Sequence, residues 1–147
     1  HGQSSGDPVF DEAMDHDIDA VVDWISASPD LNADRIAIVG ASVGANLALR
    51  AGARHPQIQS LVLLSPGMSA WGIGVKGAIL DYGRRPLLLV AAEGDAYPAK
   101  SVQRLNELGR GYDHVVLYPG VAHGTGLIRN QPDLTPVIFD WFKQTMD

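Results

Sequence analysis

The amino-acid sequence predicts an α/β fold, a mostly parallel sheet of about four strands with helices on both faces. Two runs, residues 60–67 (SLVLLSPG) and 86–95 (PLLLVAAEGD), are apolar at successive positions rather than at alternate ones. Such runs are typical of strands that are buried on both faces, as in a parallel sheet covered by helices. Segments with the apolar spacing of helices alternate with the strands, which predicts right-handed crossover connections.

The first predicted helix covers residues 10–28, where apolar residues recur three and four positions apart until Pro29 ends the helix. The same two signals, apolar periodicity and a flanking Gly or Pro, delimit the other elements. In chain order these are a strand at 34–40, a helix at 45–55, the strands at 60–67 and 86–95, a helix at 98–108, a strand at 113–120 and a helix at 134–146. The Gly-rich segment 68–85 is expected to carry a short helix or to act as a lid. Its aromatic residues Trp71 and Tyr82 either lie on the wall of a pocket or, as is more common for an aromatic residue in a loop, pack against the core.

The composition limits the classes of protein to which the chain can belong. Its 147 residues fit a single domain, and 46% hydrophobic with 19% charged residues is typical of a globular protein. The formal net charge is -6 and the 11 Lys and Arg residues are scattered, which argues against a nucleic-acid partner. The chain has neither an apolar run of membrane-spanning length nor a cysteine for disulfide or thiolate chemistry. We therefore expect a soluble, cytoplasmic protein with no membrane partner.

A serine lies between two glycines where the first predicted strand gives way to a helix. Residues 40–44 (GASVG) have the pattern Gly-x-Ser-x-Gly, which between a buried strand and a helix forms a nucleophile elbow around Ser42. We expect glycine on both sides because the turn is strained and a Cβ would meet neighbouring backbone. The backbone N–H of Val43, at the start of the helix, is a candidate oxyanion donor. The alternative is an ordinary turn or a phosphate-binding loop, in which the same pattern also occurs.

Two further residues supply the groups that a serine nucleophile requires. A serine hydroxyl attacks efficiently only when a base takes its proton, and that base must itself be oriented. Asp95 follows the second long apolar strand, and His123 follows the strand at 113–120. Both therefore lie at carboxyl ends of strands, the edge of a parallel sheet where catalytic groups gather. The order Ser42, Asp95, His123 along the chain is the order expected for an α/β-hydrolase triad.

Neighbouring residues leave alternatives open. Asp95 by itself is a common turn residue, and Glu93 is an alternative acid for the triad. His16 lies among aspartates, but helix positions one and two apart do not face each other, so a solvated helix face is favoured over a metal site. Residues 72–77 match the Gly-x-Gly-x-x-Gly pattern of dinucleotide-binding loops, although no predicted strand precedes them. We expect neither a metal nor an organic cofactor.

Three segments resemble the α/β-hydrolase superfamily, in particular dienelactone-hydrolase-like esterases and relatives of prolyl-oligopeptidase-type serine hydrolases. They are GASVGANLAL (40–49), GDAYPAKS (94–101) and GVAHGTGL (120–127), which are similar to the elbow, the acid loop and the histidine loop. The resemblance implies that Ser42 is the nucleophile, with the Val43 amide as one oxyanion donor. It implies that His123 is the general base and then acid, oriented by Asp95. The function implied is a serine hydrolase that cleaves a small-molecule carboxylic ester, or an amide or thioester, through an acyl-enzyme.

The resemblance covers the carboxyl-terminal half of that fold, a partial α/β-hydrolase fold. Residues 1–6 (HGQSSG) resemble the loop after its fourth strand, and the chain begins with His1 rather than Met. We therefore expect the first strands, and the loop with the second oxyanion donor, to be missing. The strand at 34–40 would then be an edge that invites pairing with another chain, so we expect a homodimer or a complementing segment. Loss of one oxyanion donor typically lowers kcat by about 10²- to 10³-fold. The alternative function is a weak or inactive half-domain that serves in assembly.

Overall fold

The computed structural model describes residues 10–146, which hold six helices and six strands. The helices are α1 (Phe10–Ala27), α2 (Val43–Arg54), α3 (Lys76–Tyr82), α4 (Ala96–Leu108), α5 (Gly126–Asn130) and α6 (Leu134–Thr145). The strands are β1 (Ile36–Ala41), β2 (Ile58–Leu64), β3 (Ser69–Ala70), β4 (Ile73–Gly74), β5 (Leu87–Ala92) and β6 (Asp113–Tyr118). None of the helices in this part of the chain is long and apolar enough to cross a bilayer. The loop resemblance of residues 1–6 lies outside the described residues.

Four strands form one parallel sheet in the order β1-β2-β5-β6. Each strand is parallel to the one before, so the chain returns through helical segments, and the four carboxyl ends meet at one edge. This arrangement confirms the predicted α/β class with a parallel sheet. Within residues 10–146, β1 and β6 are the outer strands of the sheet.

The central strands are buried on both faces, as their continuous apolar runs predict. Leu61 and Leu63 of β2 belong to one core, which they share with residues of α1, α2, α3 and α4. Val62 and Leu64 belong to a second core, which includes residues of α5 and α6. Every residue of β5 is buried as well. Full burial of one such aliphatic side chain contributes about 1.5–3 kcal/mol, so these two strands hold the two helical layers together.

Ion pairs join α1 to α2. Asp15 is buried, and its carboxylate pairs with the guanidinium groups of Arg50 and Arg54. Asp19 accepts hydrogen bonds from Arg54 at 2.8 Å and from His55 at 2.6 Å. Burial alone would raise the pKa of Asp19, but the bonds from Arg54 and His55 outweigh burial and hold that pKa below its ordinary value. His55, at the end of α2, therefore has a structural partner on α1.

Segment 68–85 carries the short helix that the sequence predicts and, before it, a hairpin. It holds the antiparallel hairpin β3–β4 and then α3. Trp71 and Gly72 form the turn of the hairpin with φ of 54° and 84°, and the Trp71 side chain is 87% exposed. Of the two alternatives for Tyr82, packing against the core is confirmed, because its ring is buried in the core beside α2 and its hydroxyl donates to the carbonyl of Pro86. The glycines of residues 72–77 serve this hairpin and α3, not a strand-to-helix nucleotide loop.

Candidate active site

Ser42 lies in a strained turn between β1 and α2. Its φ of 54° and ψ of -123° are values that a residue with a side chain rarely adopts, and such strain persists only where the surroundings enforce it. The backbone N–H of Ser42 donates to the carbonyl of Leu64 at 2.8 Å, which continues the β1–β2 pairing into the turn. The turn therefore lifts the Ser42 side chain at the carboxyl end of the sheet.

The two glycines of the Gly-x-Ser-x-Gly pattern differ in their surroundings. A Cβ on Gly40 would lie 2.5 Å from the carbonyl oxygen of Gly44 and 2.8 Å from the Cα of Ala45. A Cβ on Gly44 would meet nothing within 4 Å. The expectation that close backbone requires glycine on both sides is therefore correct for Gly40 and wrong for Gly44, which sits in the open first turn of α2.

The structure brings the three predicted catalytic residues together. His123 Nε2 lies 2.8 Å from Ser42 Oγ, and His123 Nδ1 lies 2.6 Å from Asp95 Oδ2. These contacts join residues 81 and 28 positions apart in the sequence. They form because β1, β5 and β6 all end at the same edge of the sheet. The imidazole is half exposed and the Asp95 carboxylate is largely covered, so the group opens to solvent from the side of His123.

The two hydrogen bonds determine which nitrogen carries the proton in neutral His123. An ionised carboxylate only accepts hydrogen bonds, so Nδ1 must donate to Asp95. Nε2 of the neutral ring is then an acceptor, and the Ser42 hydroxyl donates to it. This is the arrangement that a general base needs before it takes a proton from a serine.

Asp95 lies in a turn, where its N–H donates to the carbonyl of Ala92 at 3.1 Å, but its carboxylate has a partner outside that turn. Asp95 is the residue before α4, where an aspartate commonly caps the helix with its side chain. No such capping bond is made, and the carboxylate instead accepts from His123. The alternative acid, Glu93, is exposed, whereas the imidazole bonds to Asp95. The contact geometry therefore favours Asp95 over Glu93 as the acid.

The acid loop (residues 93–95) and the histidine loop (residues 119–125) contact each other through their backbones. The N–H of Gly94 donates to the carbonyl of Gly120 at 2.8 Å, and the N–H of Glu93 donates to the carbonyl of Tyr118 at 2.8 Å. A Cβ on Gly94 would lie 2.7 Å from the oxygen of Gly120 and 2.8 Å from Cγ1 of Val121. The absence of a side chain at Gly94 thus allows the spacing at which Asp95 meets His123.

Val43, the predicted oxyanion donor, is the first residue of α2. The first N–H groups of a helix have no partner within the helix, so the Val43 amide is free of the helical ladder beside the Ser42 hydroxyl. His16, the metal candidate considered above, has a side chain that is 79% exposed and lies 3.9 Å from Asp19. Among residues 10–146, no three His, Asp or Glu side chains are grouped as metal ligands.

Sequence reasoning missed a buried asparagine that joins the elbow helix to the hairpin. Asn46, four residues after Ser42 on α2, is fully buried. Its side-chain amide donates to the carbonyl of Ile73 at 2.8 Å, and its oxygen accepts from the N–H of Gly67 at 3.0 Å. The available signal was an asparagine inside the apolar run ANLAL, because a buried amide must find partners.

Comparison with known proteins places this chain in a family. The sequence profile of the X-Pro dipeptidyl-peptidase (S15 family) matches residues 1–144. The fold is similar to that of dienelactone hydrolase from Anabaena variabilis, with 20% identity, a TM-score of 0.76, and coverage of 90% of this chain and 60% of that one. An esterase of Pyrococcus furiosus gives 19% identity and a TM-score of 0.77, with coverage of 89% of this chain and 61% of that one. Acetyl xylan esterase 1 from Thermoanaerobacterium is 13% identical with a TM-score of 0.76. The match covers 100% of this chain and 60% of that one.

The chain thus spans about 60% of the length of these solved structures. No curated protein gives a significant match. At these identities the solved structures show only that the fold is shared. The family profile covers nearly the whole sequence and therefore shows the family. The chain belongs to the X-Pro dipeptidyl-peptidase family S15, within the α/β-hydrolase superfamily.

Proposed function

We propose that this protein is a serine hydrolase that cleaves a carboxylic ester, or an amide or thioester, through an acyl-enzyme. The observation that carries the proposal is the chain of contacts from Ser42 Oγ to His123 Nε2 and from His123 Nδ1 to Asp95 Oδ2, at 2.8 and 2.6 Å. Distances of this length permit direct proton transfer to a base. Membership of a peptidase family and structural likeness to esterases support the same reaction class.

On this proposal each group has a role in two successive steps. Ser42 Oγ attacks the substrate carbonyl as its proton passes to His123 Nε2, and the imidazolium then protonates the leaving alcohol, amine or thiol. Water attacks the resulting acyl-enzyme, with His123 again taking the proton, and the carboxylic acid product leaves. Asp95 holds the ring and stabilises its charged form. The Val43 N–H donates to the oxyanion of each tetrahedral intermediate, where a donor of this kind contributes about 10²- to 10³-fold in kcat.

A fluorophosphonate probe tests the proposal directly, because it forms a covalent bond with an activated serine. We expect mass spectrometry to find the adduct on Ser42, and Ser42→Ala to lower turnover of p-nitrophenyl acetate or butyrate by about 10⁴-fold or more. Ser69→Ala is the control, since it removes an exposed serine hydroxyl that follows the neighbouring strand β2 and should leave turnover unchanged. Turnover that is equal in the wild type and Ser42→Ala would refute the proposal.

A second proposal concerns assembly, and the edge strand β1 favours it. In the described sheet β1 pairs with β2 alone, and Val39 in its middle is 44% exposed. An apolar edge with free N–H and C=O groups accepts another strand, from a second copy or from a complementing segment. We expect light scattering to find a dimer that Val39→Lys converts to a monomer. A monomer at all concentrations would contradict homodimer formation, and a dimer without Ser42-dependent turnover would favour a purely assembling role.

A further inference from the structure

Ser65 has an unusual backbone conformation directly after β2. Its φ is 51°, in the left-handed region that favours glycine, and the residue is only 2% exposed. A non-glycine residue with this conformation costs roughly 1–3 kcal/mol and persists where the surrounding structure requires it. The strain must therefore be offset by contacts that Ser65 makes.

Those contacts run from the end of β2 to each part of the candidate active site. The Ser65 hydroxyl oxygen accepts a buried hydrogen bond from the N–H of Gly124 at 3.0 Å. The N–H of Ser65 donates to the carbonyl of Val90 on β5, the strand that leads to the acid loop, at 2.7 Å. The preceding carbonyl, that of Leu64, accepts from the N–H of Ser42. Leu64 and Ser65 together thus contact the elbow, the acid strand and the histidine loop.

We propose that Ser65 is a positioning residue for His123. Gly124 follows His123 directly, so the hydrogen bond from its N–H fixes the backbone beside the imidazole. That imidazole is 50% exposed, so surrounding side chains constrain its position less than they would in a core. The Gly124 φ of 56° shows that the chain turns sharply at the residue that Ser65 holds. The Ser65 hydroxyl thereby keeps Nε2 and Nδ1 within hydrogen-bond distance of Ser42 and Asp95. The inference rests on the proposed hydrolase function.

Two variants remove the hydroxyl without adding bulk. Ser65→Ala keeps the Cβ that the wild type already carries at this φ, and Ser65→Gly removes the Cβ and its strain. For both we expect kcat on p-nitrophenyl butyrate to fall by about 10-fold or more while KM changes less than about 2-fold, because displaced catalytic groups affect the chemical step. The rate of fluorophosphonate labelling of Ser42 should fall in parallel.

The matched control is Ser60→Ala, at the opposite end of the same strand. Ser60 is also fully buried, and its hydroxyl contacts Trp141 and Thr145 instead of the histidine loop. Thermal unfolding of both variants measures the loss of stability from a buried hydroxyl. We expect Ser60→Ala to destabilise the protein and leave kcat and the labelling rate unchanged. A purely structural role of Ser65 predicts that Ser65→Ala and Ser60→Ala have equal effects on stability, kcat and labelling rate. That outcome would overturn the proposal.

A double-variant comparison tests whether Ser65 acts through His123. In a His123→Ala background, we expect Ser65→Ala to change the labelling rate by less than about 2-fold, since the group that it positions is gone. A further 10-fold loss in that background would overturn the proposal. If wild-type Ser42 fails to label at all, the proposed function fails. If the wild type labels and both Ser65→Gly and Ser65→Ala label as fast as the wild type, only the role of Ser65 fails.

Discussion

Gly40→Ala should damage the elbow, and Gly44→Ala should not. The two substitutions add the same methyl group to the two glycines that flank Ser42. At Gly40 the new Cβ would lie 2.5 Å from the Gly44 oxygen, 2.8 Å from the Ala45 Cα and 2.9 Å from the Ala48 Cβ. Two of these three atoms belong to the backbone of α2, so no side chain can rotate away to make room.

The expected magnitude follows from the size and rigidity of these overlaps. Insertion of one methyl group into a well-packed region costs about 1–3 kcal/mol, and backbone neighbours place this site at the upper end. A loss of about 3 kcal/mol lowers the Tm of a domain of this size by roughly 10 °C. At Gly44 the added Cβ meets nothing within 4 Å, and alanine inside a helix is more stable than glycine by about 0.5–1 kcal/mol.

The assay is urea unfolding of both variants, followed by circular dichroism, with fluorophosphonate labelling of Ser42 measured in parallel. We expect Gly40→Ala to lose stability and labelling together, because relief of the overlap displaces α2 from β1 and changes the turn at Ser42. Gly44→Ala should match or exceed the wild type in stability. The reasoning is refuted if Gly40→Ala unfolds like the wild type, or if Gly44→Ala is destabilised to the same degree.

Three further substitutions test other parts of the structure. Burial raises the pKa of Asp113 from 3.8 to about 6, so the folded state binds this proton more tightly and loses stability as the pH rises through that window. Two pKa units correspond to ~3 kcal/mol, which solvent screening of this half-exposed carboxyl reduces to about 1 kcal/mol. Urea unfolding should therefore show Asp113→Asn stabilised at about pH 7 and not at about pH 4; equal stabilisation at both would contradict this. Asn46→Ala leaves two buried backbone groups without partners and should cost about 2–4 kcal/mol in the same assay, whereas the exposed Asn32→Ala should cost under about 1 kcal/mol. Gly94→Ala pushes the acid loop from the histidine loop and should lower kcat by about 10- to 100-fold, while Gly77→Ala, in open space on α3, should leave kcat unchanged.

Much of the fold follows from local patterns in the sequence. The continuous apolar runs of β2 and β5 predict strands with two buried faces, and both strands are buried in this way. The helices end where Pro29 and Pro56 predict, within two residues. Other elements had no such signal. The two-residue strands β3 and β4 are too short for apolar alternation, and α5 has only five residues. The hairpin of β3 and β4 depends on tertiary contacts such as the bond from Asn46 to the carbonyl of Ile73.

The sequence predicted the three residues of the candidate site, but not the neighbouring contacts that hold them in place. Ser42, Asp95 and His123 each follow a predicted strand, and parallel strands bring such positions to one edge. The close approach around Gly94 and the hydroxyl contact of Ser65 depend on which loops become neighbours, and spacing along the chain does not report this. The same limit left two alternatives open for Tyr82, a pocket wall or the core, and the structure places it in the core.

The location of β6 at an outer edge of the described sheet affects how the protein loses activity on heating. The inner strands β2 and β5 are almost entirely buried, whereas in β6 only Tyr118 is. Edge strands open locally more often than the centre of a sheet, which hydrogen exchange detects as weak protection. His123 lies in the loop that follows β6, so fraying of this strand displaces the imidazole while the inner strands of the sheet persist. On the proposed function, hydrolysis should therefore disappear on gentle heating before circular dichroism reports any melting of the helices.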